Sequence, residues 1–194
     1  MKIVAIVGLP GAGKTEAGKV FIEHGFENVR FGQVVLDEVI KRGLDVNEKN
    51  ERMVREELRA QHGMDVMAKF LIPTFERLIK TKNIIADGLY SWEEYKLLKE
   101  RYKEDIIILA IYANPEVRYK RLAAPERKYD PAKDKKAIYR SYTPEEAKSR
   151  DYAQIENLHQ AGPIAMANFT ITNEGNVEEL RREVEEFIKT HLKA

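Results

Sequence analysis

The chain has 194 residues, of which 43% are hydrophobic and 34% are charged, and this length suits one domain with one buried core. It contains no cysteine, which excludes disulfide bonds, thiolate zinc sites and thiol nucleophiles. Its 33 basic and 32 acidic residues nearly cancel, so no overall electrostatic field favours a nucleic acid or a membrane as partner. Since no apolar leader and no membrane-length apolar stretch is visible, we expect a cytoplasmic protein.

The amino-terminal motif carries the strongest functional signal. Residues 8–15 read GLPGAGKT and fill every fixed position of the phosphate-binding loop (P-loop) pattern G-x-x-x-x-G-K-[ST], directly after the apolar run 3–7. Such a loop points backbone N–H groups and a helix N-terminus at phosphate oxygens. We therefore predict that it binds ATP, with Lys14 as a catalytic residue on the outer phosphates and Thr15 as a ligand of Mg²⁺. The predicted nucleotide-binding residues here are Gly8, Pro10, Gly11, Ala12, Gly13, Lys14 and Thr15.

The next elements are a helix that begins at Lys14, a short strand over residues 28–31 and a helical segment from residue 34 to about 80. Gly43 and Gly63 punctuate this segment. Pro73 is expected to kink or break its last helix unless packing absorbs the lost hydrogen bond.

Three arginines of this segment, Arg52, Arg55 and Arg59, have the spacing of one helical stripe. They fit the phosphate of an acceptor molecule. Interleaved glutamates fit an ion-paired solvent face as well, which is the more common arrangement, so both interpretations stay open.

A carboxylate ends the next predicted strand, where the apolar run 84–86 leads into Asp87-Gly88. If this strand lies beside the first one, Asp87 reaches the magnesium ion and acts as both a metal-binding and a catalytic residue. An Asp that only caps the turn is the alternative. Ser91 and Glu94 then form a capping-box pattern, which predicts the start of a helix.

A strand over residues 106–111 and a helix opened by Asn114-Pro115 lead into a segment without sustained apolar periodicity, typical of a lid. We predict a lid region over residues 123–150, followed by a helix over 143–160. From Arg118 to Arg150 there are eleven basic and five acidic residues, so positive charge gathers where a triphosphate needs covering. Because guanidinium groups match phosphate in two-point contacts, the predicted catalytic arginines are Arg118, Arg127 and Arg150.

A strand over residues 169–171 and a closing helix over 177–192 complete the chain. Alternating strands and helices predict a three-layer α/β/α fold of the P-loop NTPase type, with a five-stranded parallel sheet. We expect a single domain that covers residues 1–194.

Five stretches in this order resemble the P-loop kinases of the nucleoside monophosphate kinase type, and within them a dephospho-CoA-kinase-like branch. The stretches are GLPGAGKT, ADGLYS, ANPEVRYKRL, SRDYAQIENL and TITNEG. Only the first is specific by itself. The resemblance implies a core (residues 1–33, 81–122 and 165–194), a helical acceptor-binding insert (34–80) and the lid. It also implies that Asn173, Glu174 and Gly175 form a loop beside the adenine, with Asn173 and Gly175 binding the nucleotide.

Two departures from the family pattern leave the acceptor open. Monophosphate kinases usually carry an arginine soon after the Asp-Gly turn, where this chain reads Leu-Tyr-Ser at 89–91. Dephospho-CoA kinases typically present an acidic residue just after the second strand, where this chain reads Arg-Phe-Gly-Gln at 30–33. Arg30 joins Arg55 and Arg59 as a predicted acceptor-binding residue.

The sequence therefore predicts an ATP-dependent phosphotransferase that moves the γ-phosphate to a nucleotide-like small molecule, either a nucleoside monophosphate or dephospho-CoA. The alternative is a nucleotide-switched NTPase that binds a macromolecular partner through the basic lid. ATP and Mg²⁺ are the expected cofactors. The expected partner is the small-molecule acceptor, with no nucleic acid and no membrane.

Overall fold

The central sheet is parallel throughout, in the strand order β2-β3-β1-β4-β5. The computed structural model describes residues 1–124 and 142–192, apart from the side chain of Glu48. Within these ranges the strands are β1 (Ile3–Val7), β2 (Glu27–Arg30), β3 (Ile84–Asp87), β4 (Ile106–Tyr112) and β5 (Phe169–Thr172). Ile6 of β1 lies in register with Asp87 of β3 on one side and with Leu109 of β4 on the other.

Helices connect the strands and cover the sheet. They are α1 (Lys14–Glu23), α2 (Phe31–Lys41), α3 (Glu48–His62), α4 (Val66–Leu78), α5 (Trp92–Tyr102), α6 (Pro115–Ala123), α7 (Pro144–Leu158), α8 (Ala161–Ala165) and α9 (Val177–His191). Capping residues begin several of them: the Asn114 side chain accepts the N–H of Val117 at 3.0 Å at the start of α6, and Thr143 caps α7. The predicted three-layer α/β/α fold with five parallel strands is confirmed.

Each face of the sheet has its own apolar core, because successive residues of a strand point to opposite faces. Ile3, Ala5 and Val7 of β1 face a cluster supplied by α2, α3, α4 and α5. Val4 and Ile6 face the cluster supplied by α1 and α9. Burial on both faces explains why the strands read as continuous apolar runs. The helices of the segment 34–80 pack directly into the first of these cores.

The observed boundaries differ from the predicted ones near β2. The strand covers residues 27–30 and not 28–31, and Phe31 already belongs to α2. Its buried ring packs against Phe75 of α4, with the ring centroids 6.4 Å apart. Tertiary packing of this aromatic side chain extends α2 three residues beyond its predicted start.

The predicted helical segment 34–80 is divided at its glycines, with φ of 68° at Gly43 and 93° at Gly63. α4, however, runs through Pro73 without a break. Pro73 is exposed, so the backbone carbonyl that its ring leaves unpaired faces solvent. Among the described residues, none of the helices combines the length and apolar character needed to cross a bilayer. Most of the predicted lid, including Arg127, lies outside the described residues.

A fully buried carboxyl holds the turn that follows β3. Glu94 Oε2 accepts the backbone N–H groups of Tyr90 and Ser91, each at 3.0 Å, and Ser91 Oγ accepts the N–H of Glu94. Ser91 Oγ also donates to the carbonyl of Met64 at 2.9 Å, which ties this turn to the start of α4. Glu94 Oε1 has no hydrogen-bond partner. Burial raises the pKa of Glu94 to about 7, because it disfavours the charged form.

The contribution of Glu94 to stability should therefore fall as pH rises from 4.5 to about 7. The folded protein keeps a proton on Glu94 that the unfolded chain releases near pH 4.5, so the free energy of unfolding decreases between pH 4.5 and about 7. Glu94→Gln keeps the cap acceptor but does not titrate. From pH 4.5 to about 7, the free energy of unfolding of the wild type should fall by ~3 kcal/mol relative to that of Glu94→Gln. Urea unfolding at several pH values measures both free energies. Glu100→Gln, on the exposed side of the same helix, serves as control, and parallel profiles for wild type and Glu94→Gln would contradict the prediction.

Candidate nucleotide-binding site

The P-loop, residues 8–15, lies between β1 and α1 in a backbone conformation that requires glycine. Gly8 and Gly13 have φ of 147° and 106°. A Cβ on Gly8 would lie 2.3 Å from the carbonyl oxygen of Ile111, and one on Gly13 would lie 2.4 Å from Asn173 Nδ2. Both distances are shorter than van der Waals contact. Ile111 and Asn173 can therefore pack against the loop only because the loop has no side chains at these two positions.

Lys14 lies folded over its own loop. Its Nζ donates to the backbone carbonyl of Gly8 at 2.7 Å and to that of Leu9 at 3.2 Å. Burial lowers the pKa of Lys14 to about 8, with Asp87 opposing this shift and Arg150 adding to it. The ammonium group is thus held by neutral carbonyl oxygens, and a polyphosphate is a stronger partner that can take their place.

Asp87 lies at the carboxyl end of β3, directly beside β1. The prediction that this strand lies beside the first one is confirmed. The carboxylate of Asp87 is half-buried, and its charge opposes the lowering of the Lys14 pKa. Thr15, at the start of α1, is exposed. A hydroxyl and a carboxylate suit Mg²⁺, which prefers oxygen ligands and is usually held by one or two protein groups together with phosphates and water. Within residues 1–124 and 142–192, no cluster of three or more His, Asp or Glu side chains forms a metal site made of protein groups alone.

Arg118 is buried beneath the P-loop. Its Nη1 donates to the carbonyl of Pro10 at 3.1 Å and its Nε to that of Ala113 at 3.0 Å. The same guanidinium forms a two-point ion pair with Asp151. An arginine has five N–H donors, and four of those of Arg118 donate to acceptors of the protein. Its predicted catalytic role stays a prediction, whereas its contact with the backbone of the P-loop is direct.

Arg150 lies on α7 near the entrance of the site. Its guanidinium stacks on the ring of Tyr142, with 5.2 Å between the carbon of the guanidinium and the ring centroid, and its Nη1 donates to the Tyr142 hydroxyl. The charge of Arg150 lowers the pKa of Lys14 and opposes the rise in the pKa of Tyr90. Of the predicted catalytic arginines within the described residues, Arg150 is the one whose charge affects the pKa of both Lys14 and Tyr90.

Two side chains from the carboxyl-terminal third also hold the P-loop. Asn173 Nδ2 donates to the carbonyl of Ala12 at 2.8 Å, and Gln160 Nε2 donates to that of Gly8 at 3.2 Å. Arg121 in turn binds the carbonyls of Asn173 and Gly175. Asn173 is therefore in contact with the loop, while Gly175 is exposed beside it. Gln160 was not predicted as a site residue, because it lies between two helices and belongs to no motif.

The predicted acceptor-binding arginines separate in the structure. Arg55 and Arg59 of α3 are half-buried and face the β3 turn, where Arg55 opposes the rise in the pKa of Tyr90 that burial causes. Burial lowers the pKa of Arg59, Glu94 opposes this shift, and Arg59 Nε has no hydrogen-bond partner. Arg52, by contrast, pairs with Glu56 in solvent at 2.8 Å.

Arg30 is not part of this group. It is exposed at the end of the edge strand β2 and lines a separate groove of about 770 Å³ between α2 and α4. Neither Arg55 nor Arg59 lines that groove. The backbone of Arg30 pairs with that of Asp87. Its side chain is exposed to solvent outside the site, because β2 is the edge strand of the sheet.

The fold and the loop define the class of protein, a P-loop protein with a kinase fold. A shikimate kinase from Bacteroides thetaiotaomicron superposes with a TM-score of 0.59 at 14% identity, covering 97% of this chain and 98% of that one. A shikimate kinase from Acinetobacter baumannii, solved in complex with shikimate, has a TM-score of 0.58 at 22% identity, covering 100% and 96%. At these identities the likeness concerns the fold.

The family follows from sequence comparison. A family model described as "AAA domain" matches residues 4–153. A UPF0200 protein of Thermococcus kodakarensis is 32% identical over 188 residues, which cover 96% of each chain. The chain therefore belongs to the UPF0200 proteins and, with them, to this AAA-domain family.

The state of Lys14 predicts how nucleotide binding depends on pH. Its pKa is about 8 in the free protein, and a bound triphosphate favours the charged form, so binding above pH 8 must take up a proton. We expect the Kd of a non-hydrolysable ATP analogue with Mg²⁺ to rise by up to about tenfold between pH 8 and 9 and to change little between pH 6.5 and 7.5. Titration calorimetry in buffers of different ionisation enthalpy measures both quantities. Lys14→Arg is the control because arginine stays charged; an equal loss of affinity in that variant would contradict the assignment.

Proposed function

We propose that this protein is an ATP- and Mg²⁺-dependent phosphotransferase that moves the γ-phosphate of ATP to a nucleotide-like small molecule. The observation that carries the proposal is the convergence of Lys14, Asp87 and Arg150, which come from three distant parts of the chain, around one glycine-dependent P-loop. Phosphoryl transfer needs this combination of donor binding, metal support and a mobile cation.

Each group has a role in an in-line transfer. The loop N–H groups bind the phosphates next to the transferred group, and Lys14 exchanges its carbonyl partners for the outer phosphates. Thr15 and Asp87 hold Mg²⁺, which neutralises the charge of the transferred group when bound. Arg150 contacts the γ-phosphate, and Arg127 remains a predicted second contact. A bond forms between the acceptor oxygen and the γ-phosphorus while the bond to the bridging oxygen breaks and ADP leaves.

Arg55 and Arg59 support an anionic acceptor on the far side of Asp87. They approach from α3, within the segment 34–80, and their charges act on Tyr90 and Glu94 in the turn that follows Asp87. Two solved structures of similar fold are shikimate kinases, which agrees with a small acceptor. The resemblance of the sequence to the dephospho-CoA-kinase-like branch and to the monophosphate kinases defines the compounds to test first.

A direct assay tests the proposal. Purified protein with Mg²⁺ and ATP, incubated with a panel of ribonucleoside monophosphates, deoxynucleoside monophosphates and dephospho-CoA, should release ADP in step with one phosphorylated product. Lys14→Ala should abolish the transfer because it removes the charge that holds the outer phosphates. ADP release without any phosphorylated product, together with a macromolecule retained only by the ATP-bound protein, would support a nucleotide-switched NTPase and overturn the proposal.

Asp87 should act on turnover more than on nucleotide affinity. Asp87→Asn keeps the shape of the side chain but removes the charge that supports Mg²⁺, so we expect kcat to fall on the order of 10²-fold. The affinity for ATP measured without metal should change by less than about threefold, since the loop N–H groups and Lys14 remain. Asp37→Asn, on the exposed surface of α2, is the matched control. Wild-type turnover in Asp87→Asn would remove this residue from the site.

A further inference from the structure

One buried carboxylate on α7 is connected to the P-loop through a single arginine. Asp151 and Arg118 are only 4% and 3% exposed. Asp151 accepts hydrogen bonds from Arg118 Nη1 at 2.9 Å and Arg118 Nη2 at 2.6 Å, and a third from the Tyr119 hydroxyl at 3.0 Å. Two-point contacts of this kind fix the orientation of both partners.

The rest of the Arg118 side chain lies on backbone that shapes the site. Nη1 also donates to Pro10 within the P-loop, and Nε donates to Ala113 just after β4. The carboxylate of Asp151 is the buried negative charge that balances this guanidinium. Without it, the arginine would hold its place by neutral carbonyl oxygens alone, and a buried charge without a counter-charge is unfavourable.

Arg150 is the next residue on the same helix. Adjacent residues of an α-helix point about 100° apart, so a helix whose residue 151 is turned into the protein presents residue 150 sideways. The Arg150 guanidinium lies over the Tyr142 ring, 5.2 Å from its centroid, and from there its charge lowers the pKa of Lys14 and opposes the rise in the pKa of Tyr90. The rotation of α7 about its axis therefore decides where the Arg150 guanidinium lies.

We propose that Asp151 is a positioning residue: by pairing with Arg118 it sets the rotation of α7 against the P-loop, and this aims Arg150 at the γ-phosphate. The inference rests on the proposed function, because it takes ATP as the ligand of the loop and Arg150 as a contact of its last phosphate. It adds a residue that touches neither nucleotide nor acceptor. Asp151 lies in the stretch SRDYAQIENL, but the sequence does not show that its partner is Arg118, 33 positions away.

The test measures how well the protein distinguishes a triphosphate from a diphosphate. The readout is the Kd of Mg-ADP divided by the Kd of a Mg-bound non-hydrolysable ATP analogue, obtained by titration calorimetry, so no acceptor is needed. Arg150→Ala should lower this ratio about tenfold, the value expected for loss of one charged hydrogen bond. Asp151→Asn should lower it by a similar factor. The double variant should lower it no further than Arg150→Ala alone, because both changes remove the same contact.

Controls separate this role from general damage to the fold. Asp105→Asn, which removes an exposed surface ion pair with Lys2, should leave the ratio unchanged. If Asp151→Asn does not fold, Arg118→Lys keeps the positive charge but loses the two-point geometry, and it should reproduce the lowered ratio while binding of ADP persists. Thermal unfolding of each variant shows which of them are folded.

The measured ratios distinguish a failure of the proposed function from a failure of the positioning role of Asp151. If the wild type binds neither nucleotide, the proposed function fails. If it binds both, and Asp151→Asn either keeps the wild-type ratio or adds its effect in full to that of Arg150→Ala, the positioning role of Asp151 fails while the proposed function stands.

Discussion

The close packing of the P-loop backbone is the constraint on which the rest of the site depends. Gly8 and Gly13 leave no room for a Cβ against the backbone of β4 and the side chain of Asn173. The carbonyls of the loop are then bound by side chains from remote parts of the chain, namely Arg118, Gln160 and Asn173. Within the loop the N–H of Ala12 donates to the carbonyl of Leu9 at 3.2 Å, and glycine-rich turns of this kind present backbone N–H groups that bind anions such as phosphate.

The positively charged side chains near the P-loop differ in burial and in the partners that they contact. Among the described residues beside the loop, Arg118 is neutralised by Asp151, whereas Lys14 rests on neutral carbonyls and Arg150 on an aromatic ring. A polyphosphate can therefore recruit the charges of Lys14 and Arg150, and the lowered pKa of Lys14 reflects its burial. The carboxylate of Asp87, at the end of the neighbouring strand β3, opposes this lowering.

The arginines of α3 show what helical spacing predicts and what it leaves open. The stripe of arginines on α3 is divided in the structure: Arg52 forms an ion pair with Glu56 in solvent, while Arg55 and Arg59 are half-buried and their charges act on Tyr90 and Glu94. Periodicity defines which residues share a face but not which part of that face is covered by another element. For the same reason Arg30, grouped with them by sequence, lies at an outer groove.

The sequence by itself determined the order of elements, the parallel sheet and the phosphate-binding loop, because continuous apolar runs, capping residues and the glycine spacing of residues 8–15 are local signals. It also predicted Asp87 beside the loop, since the carboxyl ends of neighbouring parallel strands meet at one edge. Only the tertiary structure decided that Arg118 supports the loop from beneath, that Asp151 and Gln160 belong to the same framework, and that Glu94 is buried with a raised pKa. The first two of these depend on contacts between residues far apart in sequence, and the third on burial, which no local pattern encodes.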